Sequence, residues 1–152
     1  MLCGAHAINL DSKGRLAIPT KFRDRLRDES ANQLICTIDI AHPCLLLYPL
    51  NEWAEVAQRL KGLSNMHAAE RRLQRLLLGH ATECELDSNG RILLSPPLRH
   101  YAGLEKKVML VGQLNKFELW SETNWQQQIN DDILALPEQD WANSPRLQDF
   151  SL

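Results

Sequence analysis

One heptapeptide occurs twice in this chain. Leu10-Asp11-Ser12-Lys13-Gly14-Arg15-Leu16 returns 76 residues later as Leu86-Asp87-Ser88-Asn89-Gly90-Arg91-Ile92. The residues after each heptapeptide also correspond: Ala17-Ile18-Pro19-Thr20-Lys21-Phe22-Arg23 against Leu93-Leu94-Ser95-Pro96-Pro97-Leu98-Arg99. Farther on, Leu47-Tyr48-Pro49-Leu50-Asn51-Glu52-Trp53 resembles Leu119-Trp120-Ser121-Glu122-Thr123-Asn124-Trp125 at an offset of 72, so the second copy is four residues shorter in a loop. A fixed internal repeat constrains the fold before any composition does. Each copy spans about 45 residues, too few to bury a large core alone. The two copies are therefore expected to share a core or intertwine.

Within each copy the local physics is readable. Asp-Ser-x-Gly suits a type I turn, with Asp first and Gly fourth. Gly14 and Gly90 can take the left-handed conformation that closes a three-residue hairpin with a bulge. The flanks are apolar and strand-like, residues 7–10 before the first turn and 16–18 after it. Pro19-Thr20 and Ser95-Pro96-Pro97 then stop the strand and start a short helix, because Ser and Thr cap well and proline tolerates the first turn. Gly103 ends the second of these helices. A second strand pair comes next in each copy, 34–38 with 44–48 and 108–111 with 117–120.

Three longer helices complete the reading. One covers 51–62, with Trp53, Val56, Ala57 and Leu60 on one face. The next covers 65–79, striped by Met66, Ala69, Leu73 and Leu76/Leu77. The last covers 122–136, striped by Trp125, Ile129 and Ile133. Such stripes indicate core or subunit contacts, not cofactor boxes. The tail after Pro137 is polar, proline-punctuated and expected to be loosely ordered. These assignments divide the chain into a first module (5–52), linking helices (53–80), a second module (81–124) and a C-terminal helix with an acidic tail (125–152).

Charge is unevenly distributed. The net is −2, but residues 1–116 hold 16 Lys/Arg against 12 Asp/Glu, while 117–152 hold Arg146 alone against seven acids. The densest basic segment runs from 13 to 27, with Lys13, Arg15, Lys21, Arg23, Arg25 and Arg27. A charge run alone reads as a solvated helix face. Cys3, Cys36, Cys44 and Cys84 include no C-x-x-C pair, and with no export signal they read as reduced, mostly buried thiols. Cys3-x-x-His6 and His80-x-x-x-Cys84 lack the paired spacing of a structural zinc site, so no metal and no cofactor is expected. No apolar run of about 18 residues exists, so no transmembrane helix is expected.

The repeated Asp-Ser-x-Gly-Arg turn supports two readings that are compatible. It is a good hairpin turn whose Asp and Arg pair. It also projects Lys13 and Arg15, or Asn89 and Arg91, from a rigid support. Arg and Asn read base edges through paired hydrogen bonds, to guanine and adenine respectively. The Asp would then orient the Arg. Because Arg15 lies next to Lys13 and upstream of Lys21 and Arg23, the first turn is expected to carry the stronger positive field.

The pattern apolar-Asp-x-x-Gly-Arg-apolar-x-apolar-Pro-x-x-apolar-Arg resembles the swapped-hairpin AbrB/MazE/SpoVT superfamily of DNA-binding proteins. Two copies in one chain, joined by helices, resemble the MraZ family of transcriptional regulators. The likeness extends to Cys36-Thr37-Ile38-Asp39, to His42-Pro43-Cys44-Leu45-Leu46-Leu47-Tyr48-Pro49, to the segment 71–80 and to 110–120. It covers residues 1–125 and weakens in the tail.

This resemblance implies an α+β fold in which two tandem AbrB-like modules form a pseudo-symmetric β-barrel with linking helices. It also implies closed rings of subunits that bind short tandem promoter repeats in double-stranded DNA and repress their own division and cell-wall gene cluster, in the cytoplasm at the nucleoid. Carried over, the family's functional motifs fall on Asp11 and Arg15 and on Asp87 and Arg91. The expected DNA-binding set is Lys13, Arg15, Lys21, Arg23, Asn89, Arg91 and Arg99, with Asp11, Gly14, Asp87 and Gly90 orienting the motif. The second copy departs from the first, with Asn89 for Lys13 and Pro97 for Lys21, so the two should contribute unequally.

Two alternatives stand beside this reading. An antitoxin-like protein-interaction module would use the acidic tail. An enzyme would need Asp11 or Asp87 to move protons, yet an Arg four residues on suits each poorly to that task. No Gly-x4-Gly-Lys, Gly-x-Ser-x-Gly or His-Glu-x-x-His motif is present. No small-molecule substrate and no membrane partner is expected.

Overall fold

In chain order the elements are β1 (Leu2–Asn9), β2 (Arg15–Ala17), α1 (Thr20–Ser30), β3 (Gln33–Ile38), β4 (Leu45–Pro49), α2 (Leu50–Lys61) and α3 (Ala68–His80). They continue as β5 (Thr82–Glu85), β6 (Arg91–Leu93), α4 (Pro96–Tyr101), β7 (Lys107–Leu114), β8 (Phe117–Ser121), α5 (Glu122–Ala135), a 3-10 turn (Trp141–Asn143) and α6 (Pro145–Gln148). The structure is a computed structural model and describes residues 1–136 and 141–152. It forms two compact units, Met1–Glu122 and Thr123–Leu152. No helix among the described residues is long and apolar enough to cross a membrane.

The fold is α+β with antiparallel sheets. Six strands run in the order β1-β7-β8-β4-β3-β5, and β2 pairs with β6 in a separate ribbon. Exchanging the copies (β1 for β5, β2 for β6, β3 for β7, β4 for β8) maps each order onto itself. The strands of each copy are thus paired with those of the other. β1 lies along β7 with Leu2 opposite Leu114, and β5 lies along β3 with Cys84 opposite Leu34. Among the described residues these ladders make an open sheet and a ribbon.

The expected hairpin is much shorter than its apolar flanks suggested. Leu10 and Leu16 form one bridge, and the strands then part, β1 to β7 and β2 to β6. Turn chemistry closes the turn, but burial decides which strand covers each edge. Leu16, Ile18, Ile92 and Leu94 are all buried, at 1% exposure or less, in the shared core. Phe22 of α1 meets Phe117 of β8 edge to face at 5.0 Å between ring centres. Each copy thereby completes the other's core, as the shortness of each required.

The helices differ from expectation mainly at their starts. Pro19, not Thr20, is the N-cap of α1, and neither it nor Ser95 makes a side-chain cap bond. Proline geometry and the carbonyls of Pro19 and Ser95, which accept from Phe22 and Arg99, open these helices instead. Gly103 comes after α4 with φ +61°, as a helix-ending glycine should. α3 begins at Ala68, capped by His67, so Met66 and Ala69 lie exposed while Leu73, Leu76 and Leu77 are half-buried. On α2 the expected face is present, with Leu60 buried and Trp53, Val56 and Ala57 half-buried.

In the second unit, α5 has Trp125 and Ile129 half-buried and Ile133 exposed. The expected loose tail falls partly on residues 137–140, which lie outside the described residues; after them come the 3-10 turn and α6.

Candidate nucleic-acid interface

Each turn is built around one carboxylate. Asp11 Oδ1 accepts from the backbone N–H groups of Lys13 and Arg15, both at 2.9 Å. Its Oδ2 accepts from Arg15 Nε at 2.8 Å. In the second turn Asp87 Oδ1 accepts from the N–H groups of Asn89 (2.8 Å) and Arg91 (2.9 Å), and Oδ2 from Arg91 Nε at 3.2 Å. Backbone bonds close both loops: Gly14 donates to Asp11 and Asp11 to Arg15, each at 3.0 Å, with 2.9 Å for both equivalents. The N–H donors hold the carboxylates ionised. The Arg15 backbone N–H first, aided by its guanidinium, draws Asp11 from the usual carboxylate value down to about 2. The Arg91 backbone N–H lowers Asp87 in the same way. A guanidinium has five N–H donors, so the Nε contact fixes the arginine without exhausting it.

The ribbon places the two arginines on one face. Arg15 opposes Leu93, and Ala17 opposes Arg91. Leu16 and Ile92, the residues between, point into the core at 0% and 1% exposure. Alternation therefore sends Arg15, Ala17, Arg91 and Leu93 outward. Arg15 and Arg91 are diagonal neighbours, a relation that spaces such residues about 7–8 Å apart. Leu93, opposite Arg15 on the same face, is 60% exposed.

Each turn is braced by the other copy. The Gly14 carbonyl accepts from Leu94 N at 2.8 Å, and the Gly90 carbonyl from Ile18 N at 2.9 Å. Both glycines have positive φ, +84° and +71°. A Cβ at Gly14 would lie 2.9 Å from Arg99 Cζ, and one at Gly90 would overlap the Arg23 guanidinium. Arg23 thus packs on the second turn and Arg99 on the first. Proximity in the chain suggested that Arg23 serves the first turn; strand exchange reverses that assignment. Arg23 Nε donates to the Ile18 carbonyl at 2.7 Å.

The remaining expected residues divide by surroundings. Lys13 and Asn89 are exposed at the turn tips. Lys21 is exposed on α1, its Nζ 4.8 Å from the Phe22 ring centre. Arg25 pairs with Glu29 at 2.8 Å, and Arg27 with Asp24 and Asp28 at 3.0 and 3.1 Å. For these two the solvated-face reading of the basic run holds.

Sequence reading gave no role to three further groups. Lys106 lies beside the first turn, its carbonyl accepting from Leu10 N at 2.8 Å. Arg71, Arg72 and Arg75 are exposed on α3; their spacing was visible in the sequence. Asp39, Cys44 and Glu118 present ligand-type atoms within 4.8 Å of one another. The buried Cys44 thiol donates to Asp39 Oδ2 at 3.7 Å, and burial, then the two carboxylates, pushes its pKa up. No sequence spacing announced this trio, because β4 and β8 bring it together across the sheet.

Comparison with known proteins gives a consistent result. The model of the MraZ protein family, an antitoxin-like class by its description, matches residues 1–76 and 77–141. The chain belongs to the MraZ family. The two matched segments divide the chain where the repeat does. A relative from Tolumonas auensis is 70% identical over all 152 residues of both chains, and one from Klebsiella pneumoniae 60%. One from Escherichia coli O9:H4 is 59% identical, again over the full length of both chains. Each of these three MraZ-family relatives carries the name "Transcriptional regulator MraZ".

Proposed function

We propose that this chain is a sequence-specific regulator of transcription that binds double-stranded DNA through the β2–β6 ribbon and its two turns. One observation carries the reading: Arg15 and Arg91 stand diagonally across one outward ribbon face, each clamped by a carboxylate. The major groove is about 12 Å wide and admits a two-stranded ribbon. Clamped arginines lose little freedom on binding, and bidentate Arg–guanine contacts supply base discrimination. Lys13, Lys21 and Asn89 extend this surface; Arg23 and Arg99 brace it; Asp11, Gly14, Asp87 and Gly90 fix its shape. The names of the relatives support the class of function, and the strand exchange supports two swapped-hairpin modules, at 5–52 and 81–124, joined by the linking helices.

The finer reading rests on charge. A protomer with net charge −2 offers few phosphate contacts, so affinity requires several protomers on linked repeats. The protein is a closed ring of subunits. It represses its own operon, the division and cell-wall cluster, from tandem promoter repeats, in the cytoplasm at the nucleoid. It is not an enzyme: the most prominent carboxylates, Asp11 and Asp87, are held below the usual range and are unsuited to general acid–base work.

Mobility shifts on three duplexes from upstream of its own gene test this reading. One carries a single repeat, one several repeats in phase, and one several repeats offset by half a helical turn. The in-phase array should bind more tightly than its number of sites explains, and the offset array should lose most of that gain. Equal binding to all three would overturn ring avidity, and equal binding to unrelated DNA would overturn specific recognition.

A further inference from the structure

The pseudo-symmetry identifies equivalent positions around the two turns. Leu10 N donates to the Lys106 carbonyl at 2.8 Å, and Leu86 N to the Asn32 carbonyl at 3.0 Å. Lys106 beside the first turn therefore corresponds to Asn32 beside the second. Likewise Arg99, against Gly14, corresponds to Arg23, against Gly90. Arg23 Nε is committed to the Ile18 carbonyl. Arg99 Nε is not: among the described residues it is the one buried side-chain nitrogen or oxygen without a hydrogen-bond partner. A buried donor left unpaired is unfavourable, and an anion beside the same guanidinium would offset that cost.

Arg99 and Lys106 line one open cleft of about 500 Å³ with Leu10, Asp11, Ser12 and Glu105. Lys106 is exposed, and the Asp11 carboxylate is already occupied by three N–H donors. Glu105, also exposed, is the remaining acid of the cleft. We infer that Lys106 and Arg99 form a seat for one backbone phosphate of the duplex, next to the base-reading Arg15. The seat presupposes the DNA-binding function proposed for the ribbon. The cleft is open, as suits a polymer backbone running past it. The second turn has no matching seat, since Asn32 is neutral and Arg23 already has its acceptor.

The test is the salt dependence of binding to a single-repeat duplex and to a random-sequence duplex. Lys106→Ala should weaken both by the same factor, because phosphates carry no sequence information. It should also reduce the slope of log affinity against log salt by about 0.9 per protomer engaged. Arg99→Gln should reduce the slope in the same sense, and Lys106→Arg should keep it. Glu105→Gln should raise affinity for both duplexes, a gain that no folding defect can mimic. A wild-type slope for Lys106→Ala together with no gain for Glu105→Gln would overturn the seat. If Arg15→Ala still lost binding in that case, the DNA-binding reading would stand without it. If the wild-type protein did not prefer the repeat duplex at all, both would fall.

Discussion

The turn at 11–15 and the turn at 87–91 hold their carboxylate, glycine and arginine by the same set of bonds, yet they present different surfaces. The first has Lys13 at its tip, Lys106 at its side and a guanidinium beneath it with an unpaired Nε. The second has Asn89, Asn32 and a guanidinium already bonded to Ile18. Backbone shape is therefore common to both, and charge is not. The comparison teaches that a turn motif and its field are separate properties. The motif is fixed within five residues; the field comes from whichever helix and strand the fold brings alongside.

The comparison breaks most readily in the core, where the halves should be alike. Leu16→Ala and Ile92→Ala remove equivalent, fully buried side chains. Each should destabilise by about 2–5 kcal/mol, and by similar amounts. Denaturant titration measures this; a large disparity would mean that the shared core is not symmetric. At the surface the halves should differ. Arg15→Ala should cost about 1–3 kcal/mol of DNA affinity, and Arg91→Ala less, with both variants folded. Anisotropy at matched salt reads the ratio, and equal losses would show that surrounding charge does not distinguish the turns.

The smallest effect is in pH. Asp11, at about 2, lies below its unfolded value, so its stabilising contribution is present above about pH 4 and is lost as pH falls toward 2. Asp87 is lowered too, with a longer arginine contact and a neutral Asn89 beside it. Carboxyl chemical shifts should show Asp87 protonating first as acid is added. Coincident midpoints would remove this distinction.

Much of this architecture was legible in the residues. The repeat, the Asp-Ser-x-Gly turns, the second strand pairs and the apolar face of α2 are all local patterns. The strand partners were not legible, because apolar flanks announce burial without saying against what. The supports of the turns were misassigned for the same reason. Arg23 is close to Arg15 in the chain, but β2 leaves its own turn to pair with β6, and that pairing carries Arg23 to Gly90 instead. Lys106 was illegible because its neighbour Leu10 is brought to it only by the β1–β7 ladder, which continues into that bond. Arg25 and Arg27 were legible as a solvated face, since the acids that pair with them sit within the same helix.

The exchange of strands also sets a timetable for synthesis. Leu2 pairs with Leu114, so β1 has no sheet partner until nearly the whole of the first unit has been made. At about 5–20 residues per second, translation leaves that strand waiting roughly 5–20 s. Its neighbours in sequence cannot shelter it, because the hairpin they form is a single bridge. A ribosome-bound chain stopped before Lys107 should therefore carry an unpaired first strand. β3, β4 and β5 can pair while the chain is still growing, whereas the first strand made is among the last to be paired.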